Sequence, residues 1–593
     1  MNKIGKTLIK NSIVNRNWTF LSNLSTLSNH DNSIIKKSME NNNIVNSNIE
    51  NILKNIEQNY KNMNVKTAVN IMDCLYNEHD KRKELHLVYF TEFEYICKVL
   101  LKDIRSLSTY DTIKVLRNLL TLNVPPNTVI IQTLLQLIRV SINKLTIKQI
   151  MRLYYMLYNV QKSPLIESLL LALPHVLEQQ AQIELDSTST NLMEVLQFCI
   201  MTKNLETQRY VISLLFKNKQ NIKLPHAINI FGVICNLPEL CPVSKQLLFY
   251  IQKIIERDYK KLNISETNWL LLNISKKCMN LKTEFYCKVL IDKLCFNILS
   301  YHTSPKDDLH TIIYLNNMHH SNILLLEKLV EKYLKDTDTL KMCSIHQVHH
   351  FIKGFVIADY RPHNWETIGR MLQNFIINID YPICYIVSTV YYLLSLNCYC
   401  PKLIEKAFIL HNNVTVTIKE HILKLYWCIK LLYPEYNGIM PDETKLNQIK
   451  IKHKGNNVSD LMKSLVEVIG DARYIKSGLK TKFGTFVDHV VVIQPDGFLM
   501  NTSSYGNIIF VEELVSLTEG SKFLFFAFPV EAYSINEKCM LSTVKMELKA
   551  LETLSGFHTV VINPYLWNNL VDKEKILHLH KIMRSKSSNI CYK

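Results

Sequence analysis

From about residue 60 to residue 430, apolar positions return every three or four residues. Ile113, Leu116, Leu119 and Leu120 form one such run, and Ile150, Leu153 and Leu157 another. That period predicts amphipathic helices. Turn signals break the pattern at Val124-Pro125-Pro126-Asn127, Lys162-Ser163-Pro164, Leu224-Pro225-His226, Ser304-Pro305, Arg361-Pro362 and Cys400-Pro401. The apolar starts Ile113, Ile150, Leu192, Ile228, Leu270, Ile312, Phe351 and Val387 form a ladder, with spacings of 37, 42, 36, 42, 42, 39 and 36 residues. Each unit has room for two helices and a turn, the period of an α-solenoid of stacked helical hairpins. A single core rarely grows to this size, which favours stacking over one bundle.

The pattern changes after Tyr433-Pro434-Glu435-Tyr436-Asn437-Gly438. Phe486 to Ile493 reads as a strand, and Gln494-Pro495-Asp496-Gly497 turns it toward Phe498-Leu499-Met500 as in a hairpin. The unbroken apolar run Phe523–Phe528 predicts a buried strand. A helix over about 541–554 ending near Gly556, a strand over 559–562 and a closing helix over 573–583 follow. Strand, helix and strand in that order predict a small α/β domain with a parallel pair. The expected fold class is mostly α: an α-solenoid followed by this small C-terminal α/β domain. Tyr381 to Pro401 carries no charge but holds Pro382, Ser388, Thr389, Ser395 and Asn397. It predicts a buried helix, not a membrane span.

Composition sharpens the functional side. Hydrophobic residues make up 47% and charged residues 20% of the 593, which excludes a disordered chain. Only 13 glycines argue against many Gly-rich phosphate loops. Lys and Arg number 69 against 52 Asp and Glu, a formal charge of +17, which suits an anionic partner. Residues 1–30 hold Lys3, Lys6, Lys10 and Arg16 among apolar Ile4, Leu8, Ile9, Ile13 and Val14, with no acid before Asp31. That is the pattern of an organellar transit peptide, and the Asn- and Ser-rich residues 31–55 predict a loose linker. The fifteen cysteines are scattered, and Cys199, Cys235, Cys295 and Cys428 sit in apolar helical stretches. They predict reduced, buried thiols.

Candidate chemistry is sparse. No Gly-x-Gly-x-x-Gly loop, His-Arg-Asp or Asp-Phe-Gly of a protein kinase is present. Cys343, His346, His349 and His350 have zinc-like side chains, and His346 and His350 lie one helical turn apart. No fixed third and fourth ligands accompany them, so a solvated helix face is expected, with no metal and no cofactor. Cys398-Tyr399-Cys400 is too short for a zinc knuckle, and His578 and His580 read as surface residues of the last helix. Tyr154, Tyr155, Tyr158, Tyr391 and Tyr392 lie on helices, where most are expected in the core. Candidate RNA contacts are the basic connector Lys445, Lys450, Lys452 and Lys454, and the pair Lys545 and Lys549 one turn apart.

The C-terminal third resembles the FAST-kinase-domain (FASTK) family of mitochondrial proteins. Lys430-Leu431-Leu432-Tyr433-Pro434-Glu435-Tyr436-Asn437-Gly438 is similar to the family's "CPEYxGP" element. Ile469-Gly470, Lys480-Thr481-Lys482-Phe483-Gly484, Val487-Asp488 and Pro495-Asp496-Gly497 follow its second element in order. Residues 523–583, with Gly556-Phe557, Val560-Val561-Ile562 and Trp567, resemble the RAP domain. The resemblance divides the chain into a helical array over 56–430, whose residues 345–415 are FAST_1-like, a FAST_2-like region over 420–510 and a RAP domain over 522–582. The family's acid pair is incomplete here, since Asp488 is followed by His489-Val490-Val491.

The RAP region is similar to restriction-endonuclease folds, which hold a divalent metal with an Asp and a Glu-x-Lys. Asp488 and Glu531 could supply carboxylates and Lys545 the cation, but Glu531-Ala532-Tyr533 lacks the Lys of the motif. The resemblance therefore implies a mitochondrial-matrix protein that binds single-stranded organellar RNA and regulates its stability or processing. The alternatives are a metal-dependent RNA endonuclease and a scaffold in mitochondrial ribosome assembly, in contact with other RNA-processing or assembly proteins.

Overall fold

The computed structural model describes residues 56–82, 91–185, 189–279, 283–378, 383–409, 416–446, 460–505, 508–516 and 519–586. The expected transit peptide and linker lie outside the described residues. What is described is 70% helix, in 25 helices, with one four-stranded mixed sheet near the C-terminus. The chain divides into two compact units at Lys217 and Asn218.

The first unit holds α1 (Val65–Arg82), α2 (Thr91–Lys102), α3 (Thr109–Thr121), α4 (Val129–Val140), α5 (Ile147–Tyr158), α6 (Pro164–Glu184), α7 (Ser189–Thr202) and α8 (Leu205–Lys217). α1, α3, α5 and α7 pack in a row, each on the next. Buried Asn118 of α3 donates to Asp73 of α1 at 2.6 Å, and Lys114 pairs with the same carboxylate.

The second unit holds α9 (Leu224–Asn236), α10 (Pro242–Asp258), α11 (Ile264–Cys278), α12 (Lys288–Leu299), α13 (Pro305–Asn317), α14 (Ile323–Lys335), α15 (Thr337–Lys341), α16 (Ile345–Ala358), α17 (Trp365–Ile377), α18 (Ile383–Ser395), α19 (Pro401–Ile409), α20 (Val416–Leu432) and α21 (Glu443–Leu446). Here α9, α11, α13, α16, α18 and α20 form the continuous row. α22 (Leu461–Ile469), α23 (Ser542–Glu552), α24 (Pro564–Trp567) and α25 (Asp572–Lys586) accompany the sheet.

All eight apolar anchors of the sequence ladder fall on these row helices, and all eight are buried. Of the prolines read as turn signals, Pro164, Pro225, Pro305 and Pro401 open helices, as does Pro242, which was not among them, while Pro125, Pro126 and Pro362 stay in the turns. Pro164, Pro242 and Pro305 each follow an N-cap whose side chain accepts a backbone N–H: Ser163, Cys241 and Ser304. A proline there gives up an N–H that the helix leaves unpaired anyway. Thr146, Asn263 and Ser344 make full capping boxes with Gln149, Glu266 and Gln347.

The exits repeat as well. Asn123, Lys203, His319, Asp359 and Asn397 follow α3, α7, α13, α16 and α18 with φ of 62, 59, 51, 48 and 60°. After each, the next N–H reaches back five residues: Val124 to Leu119, Asn204 to Cys199, His320 to Leu315, Tyr360 to Phe355 and Cys398 to Leu393, at 2.9–3.1 Å. This is the Schellman closure of a helix.

Strands β1 (Ile475–Lys480), β2 (Phe486–Ile493), β3 (Ser521–Phe526) and β4 (Phe557–Val561) lie in that spatial order. β1 with β2 and β2 with β3 are antiparallel, and β3 with β4 is parallel, joined through α23. The expected parallel pair is present. β1 was not anticipated, and the return after Gly497 is a single bridge, Ile493 to Leu499, in place of a full hairpin strand. Leu524 and Phe526 of β3 enter the core shared with α23, while Phe523 and Phe525 enter the core under α22 and α25. A strand covered on both faces needs no polar alternation, which is why 523–528 reads as one apolar run.

No helix is long and apolar enough to cross a membrane among the described residues. Cys199, Cys235, Cys295 and Cys428 are buried and free, as expected. Burial pushes the Cys199 and Cys235 thiols up to about 12.

Candidate nucleic-acid interface

A cluster of polar and aromatic side chains in the second unit crosses α16, α18 and α20. Ser344 caps α16 and sets its rotation. His346, His350 and Lys353 then follow at steps of four and three, on one stripe. His346 is exposed, while His350 and Lys353 are partly buried. From α18 come Tyr385, Ser388, Thr389 and Tyr392, and from α20 come His421 and Lys424.

Rings from these helices pack together, mostly edge to face. Tyr385 lies 5.4 Å from His346 and 5.5 Å from His349, between centroids. Tyr392 lies 5.2 Å from His349 and 5.9 Å from His421. His346 and His350 are 4.6 Å apart. Each of the three deeper imidazoles is held through Nδ1 by the adjoining helix. His349 meets Thr389 Oγ1 at 3.0 Å, His421 meets Ser388 Oγ at 2.7 Å, and His350 meets Asn316 Nδ2 at 3.5 Å. Asn316 also donates to the His350 carbonyl at 2.6 Å.

Burial holds all of these imidazoles neutral. It lowers His421 to about 4 and His350 to about 3, and takes His349 well below the usual range with help from His350 and Lys353. Burial lowers Lys353 too. Its ammonium has no hydrogen-bond or ion-pair partner among the described residues. Lys424 differs. Burial opposes its charge, but Glu547 and Glu420 outweigh that and raise it. Glu547, on α23, is 3% exposed. It accepts from Lys424 Nζ at 3.0 Å, from Thr485 Oγ1 at 2.8 Å and from Tyr391 Oη.

The residues singled out in the sequence fall in different places. Cys343 turns away from the histidines, toward Tyr333 Oη at 3.3 Å and the Thr339 carbonyl at 3.5 Å. No three His, Cys, Asp or Glu side chains converge as a metal site among the described residues. The expectation of a solvated histidine face needs correction: His349 is buried, because α18 covers that side of α16. Tyr154 and Tyr391 are core residues, whereas Tyr158 is 55% exposed under Lys162. His578 and His580 are half-buried on α25.

Asp488 sits on β2, 5% exposed, and its Oδ2 accepts the Ala527 N–H at 2.6 Å. Its Oδ1 is enclosed without a partner among the described residues, and burial raises the carboxyl to about 6. Glu531 lies on the turn Val530–Ala532 and acts on His319 and Tyr565. Lys545 pairs with Asp359 at the end of α16. The three residues of the nuclease reading thus have three separate sets of partners. Lys549 is exposed on α23, one turn from Lys545. Lys445 falls on α21, and Lys450, Lys452 and Lys454 lie outside the described residues.

Lys353, His421, Lys424 and Glu547 were not read from the sequence. The stripe His346-His350-Lys353 was legible at helical spacing. That Lys353 would stand without a carboxylate was not, since its neighbours come from other helices. No protein-family model and no curated protein matches this chain.

Proposed function

We propose that this chain binds single-stranded RNA in the mitochondrial matrix and sets the stability or processing of organellar transcripts. The reading takes the two helical rows as an α-solenoid of hairpin repeats and the C-terminal sheet as a RAP domain of the FAST-kinase-domain family. The observation that carries it is the ribbon of histidine and tyrosine rings across α16, α18 and α20, beside the Lys353 ammonium, which no carboxylate neutralises among the described residues. Unpaired bases stack on such rings, and phosphates follow the cations between them. The formal charge of +17 adds long-range attraction for a polyanion. Binding would protect RNA ends or present sites to a separate nuclease.

The test is ultraviolet crosslinking of the tagged protein in intact mitochondria, followed by sequencing of the attached RNA. A sharp set of sites on organellar transcripts is expected. Crosslinks confined to ribosomal RNA would favour the ribosome-assembly scaffold. None above background would sink direct RNA binding.

A further inference from the structure

His349, His350 and His421 share one construction. In each, Nδ1 is engaged by a side chain of the adjoining helix, and Nε2 has no partner among the described residues. The Asn316 amide can only donate to His350 Nδ1, which leaves that ring's proton on Nε2, and where the Thr389 and Ser388 hydroxyls donate, Nε2 of His349 and His421 is a donor too. Lys353 follows His349 and His350 on α16 by four and three residues and so shares their side of the helix. Its charge acts on His349, His350 and His421, and on His319 at the exit of α13.

The nearby acids are engaged elsewhere. Glu547 and Glu420 hold Lys424, Asp359 holds Lys545 and Ser542, and Glu531 acts on His319. A largely buried, uncompensated ammonium is a cost to the fold, and an arriving anion would relieve it. The surrounding groups suit an anion and repel a cation: one fixed positive charge and N–H donors. Tyr385 and Tyr392, partly exposed beside the imidazoles, offer faces to a planar ring.

We propose that Lys353, with His349, His350 and His421 around it, binds a phosphate group of an RNA strand, and that Tyr385 and Tyr392 stack the adjoining base. The identity of the strand as RNA rests on the function proposed above; the phosphate chemistry does not. A free nucleotide carries the same group, and the test separates the two sources.

Full-length protein is titrated by fluorescence anisotropy with a single-stranded RNA oligonucleotide over a range of salt. Adenosine monophosphate is titrated in parallel by calorimetry. Lys353→Met, Lys353→Arg and the distant control Lys335→Met are compared with wild type. The K353M variant is expected to weaken RNA binding roughly tenfold on all sequences and to lower the salt slope by about one. The K353R and K335M variants should stay near wild type, and K353M should melt no lower than wild type, which separates loss of contact from loss of fold.

RNA bound equally by wild type and K353M would overturn the site and leave RNA binding standing. Wild type that ignores RNA but binds adenosine monophosphate in a Lys353-dependent way would keep the phosphate site and overturn its RNA source. Binding of neither would overturn both.

Discussion

Two largely buried cations, Lys353 on α16 and Lys424 on α20, are handled in opposite ways. Lys424 meets Glu547 and is held charged, whereas Lys353 has no carboxylate partner among the described residues and burial lowers it. Breaking a buried pair strands a charge, so Glu547→Gln should cost about 3 kcal/mol in urea unfolding. Removing both charges, with Lys424→Met and Glu547→Leu, should cost much less than E547Q alone. Asp488 offers a pH test. Its carboxyl is raised to about 6 by burial, above the ordinary value of 3.8. Between those values the folded state holds a proton that the unfolded state has lost. Stability from this group is therefore full below the ordinary value, falls as pH rises to about 6, and stays lost above that. The neutral imidazoles push the other way, since acid charges them in the unfolded chain first. The difference between Asp488→Asn and wild type isolates the carboxyl. The variant should be more stable by about 2 kcal/mol at pH 7.5, and the gain should shrink toward pH 4.5. A gain independent of pH would show that Asp488 is not the titrating group.

The helical elements were legible because their rules are local. Period, caps and helix-opening prolines all lie within a few residues of one another, and Ile113 through Val387 mark buried positions on the row helices. Exits were less legible. The left-handed residues after the row helices are Asn, Lys, His and Asp, without the glycine that normally marks such a site. β1 was missed for a different reason. Within Ile475–Lys480 only Ile475 and Leu479 are buried, and Gly478 interrupts the alternation at φ 80°. What makes it a strand is pairing with β2, which no local pattern announces. The interface chemistry was least legible, since Asn316, Thr389 and Ser388 act on histidines 33–40 residues away. The exits support a direct test at Asn397, which is exposed at φ 60° after α18. Asn397→Gly should be neutral or stabilising by up to about 0.5 kcal/mol, because glycine tolerates this conformation. Asn397→Val should lose about 1–2 kcal/mol, since a β-branched residue does not. Both are read from thermal melts of the full chain.

In the second unit, the change of composition at residues 433–438 is not a break in packing. One apolar core runs from Leu309 and Ile312 of α13 through α16, α18 and α20 into Leu479, Val490, Val492, Leu524 and Phe526 of the sheet and Met546 and Leu551 of α23. Polar ties cross the same boundary. Asn536 exchanges hydrogen bonds with Ser321, the Ile535 N–H reaches the His319 carbonyl at 2.8 Å, and Lys545 pairs with Asp359. The α/β portion covers the faces of α16, α18 and α20 next to the proposed phosphate site, with α23 packed on all three. Cutting the chain between them would expose a large apolar face on each piece, at about 25 cal/mol per Å². Residues 218–593 should therefore unfold in one cooperative transition, with equal calorimetric and van't Hoff enthalpies. A fragment ending at residue 446 should bind a hydrophobic dye and aggregate, while E547Q should lower the whole transition without splitting it. Two separate calorimetric peaks, with the C-terminal portion melting alone, would mean that the shared core does not couple the parts. The phosphate site would then have to be complete on the helices alone, and RNA affinity would survive removal of the sheet. A single transition would instead make the α/β portion a structural condition for the interface, so that RNA affinity and the second unit's melting point fall together across the Glu547 variants.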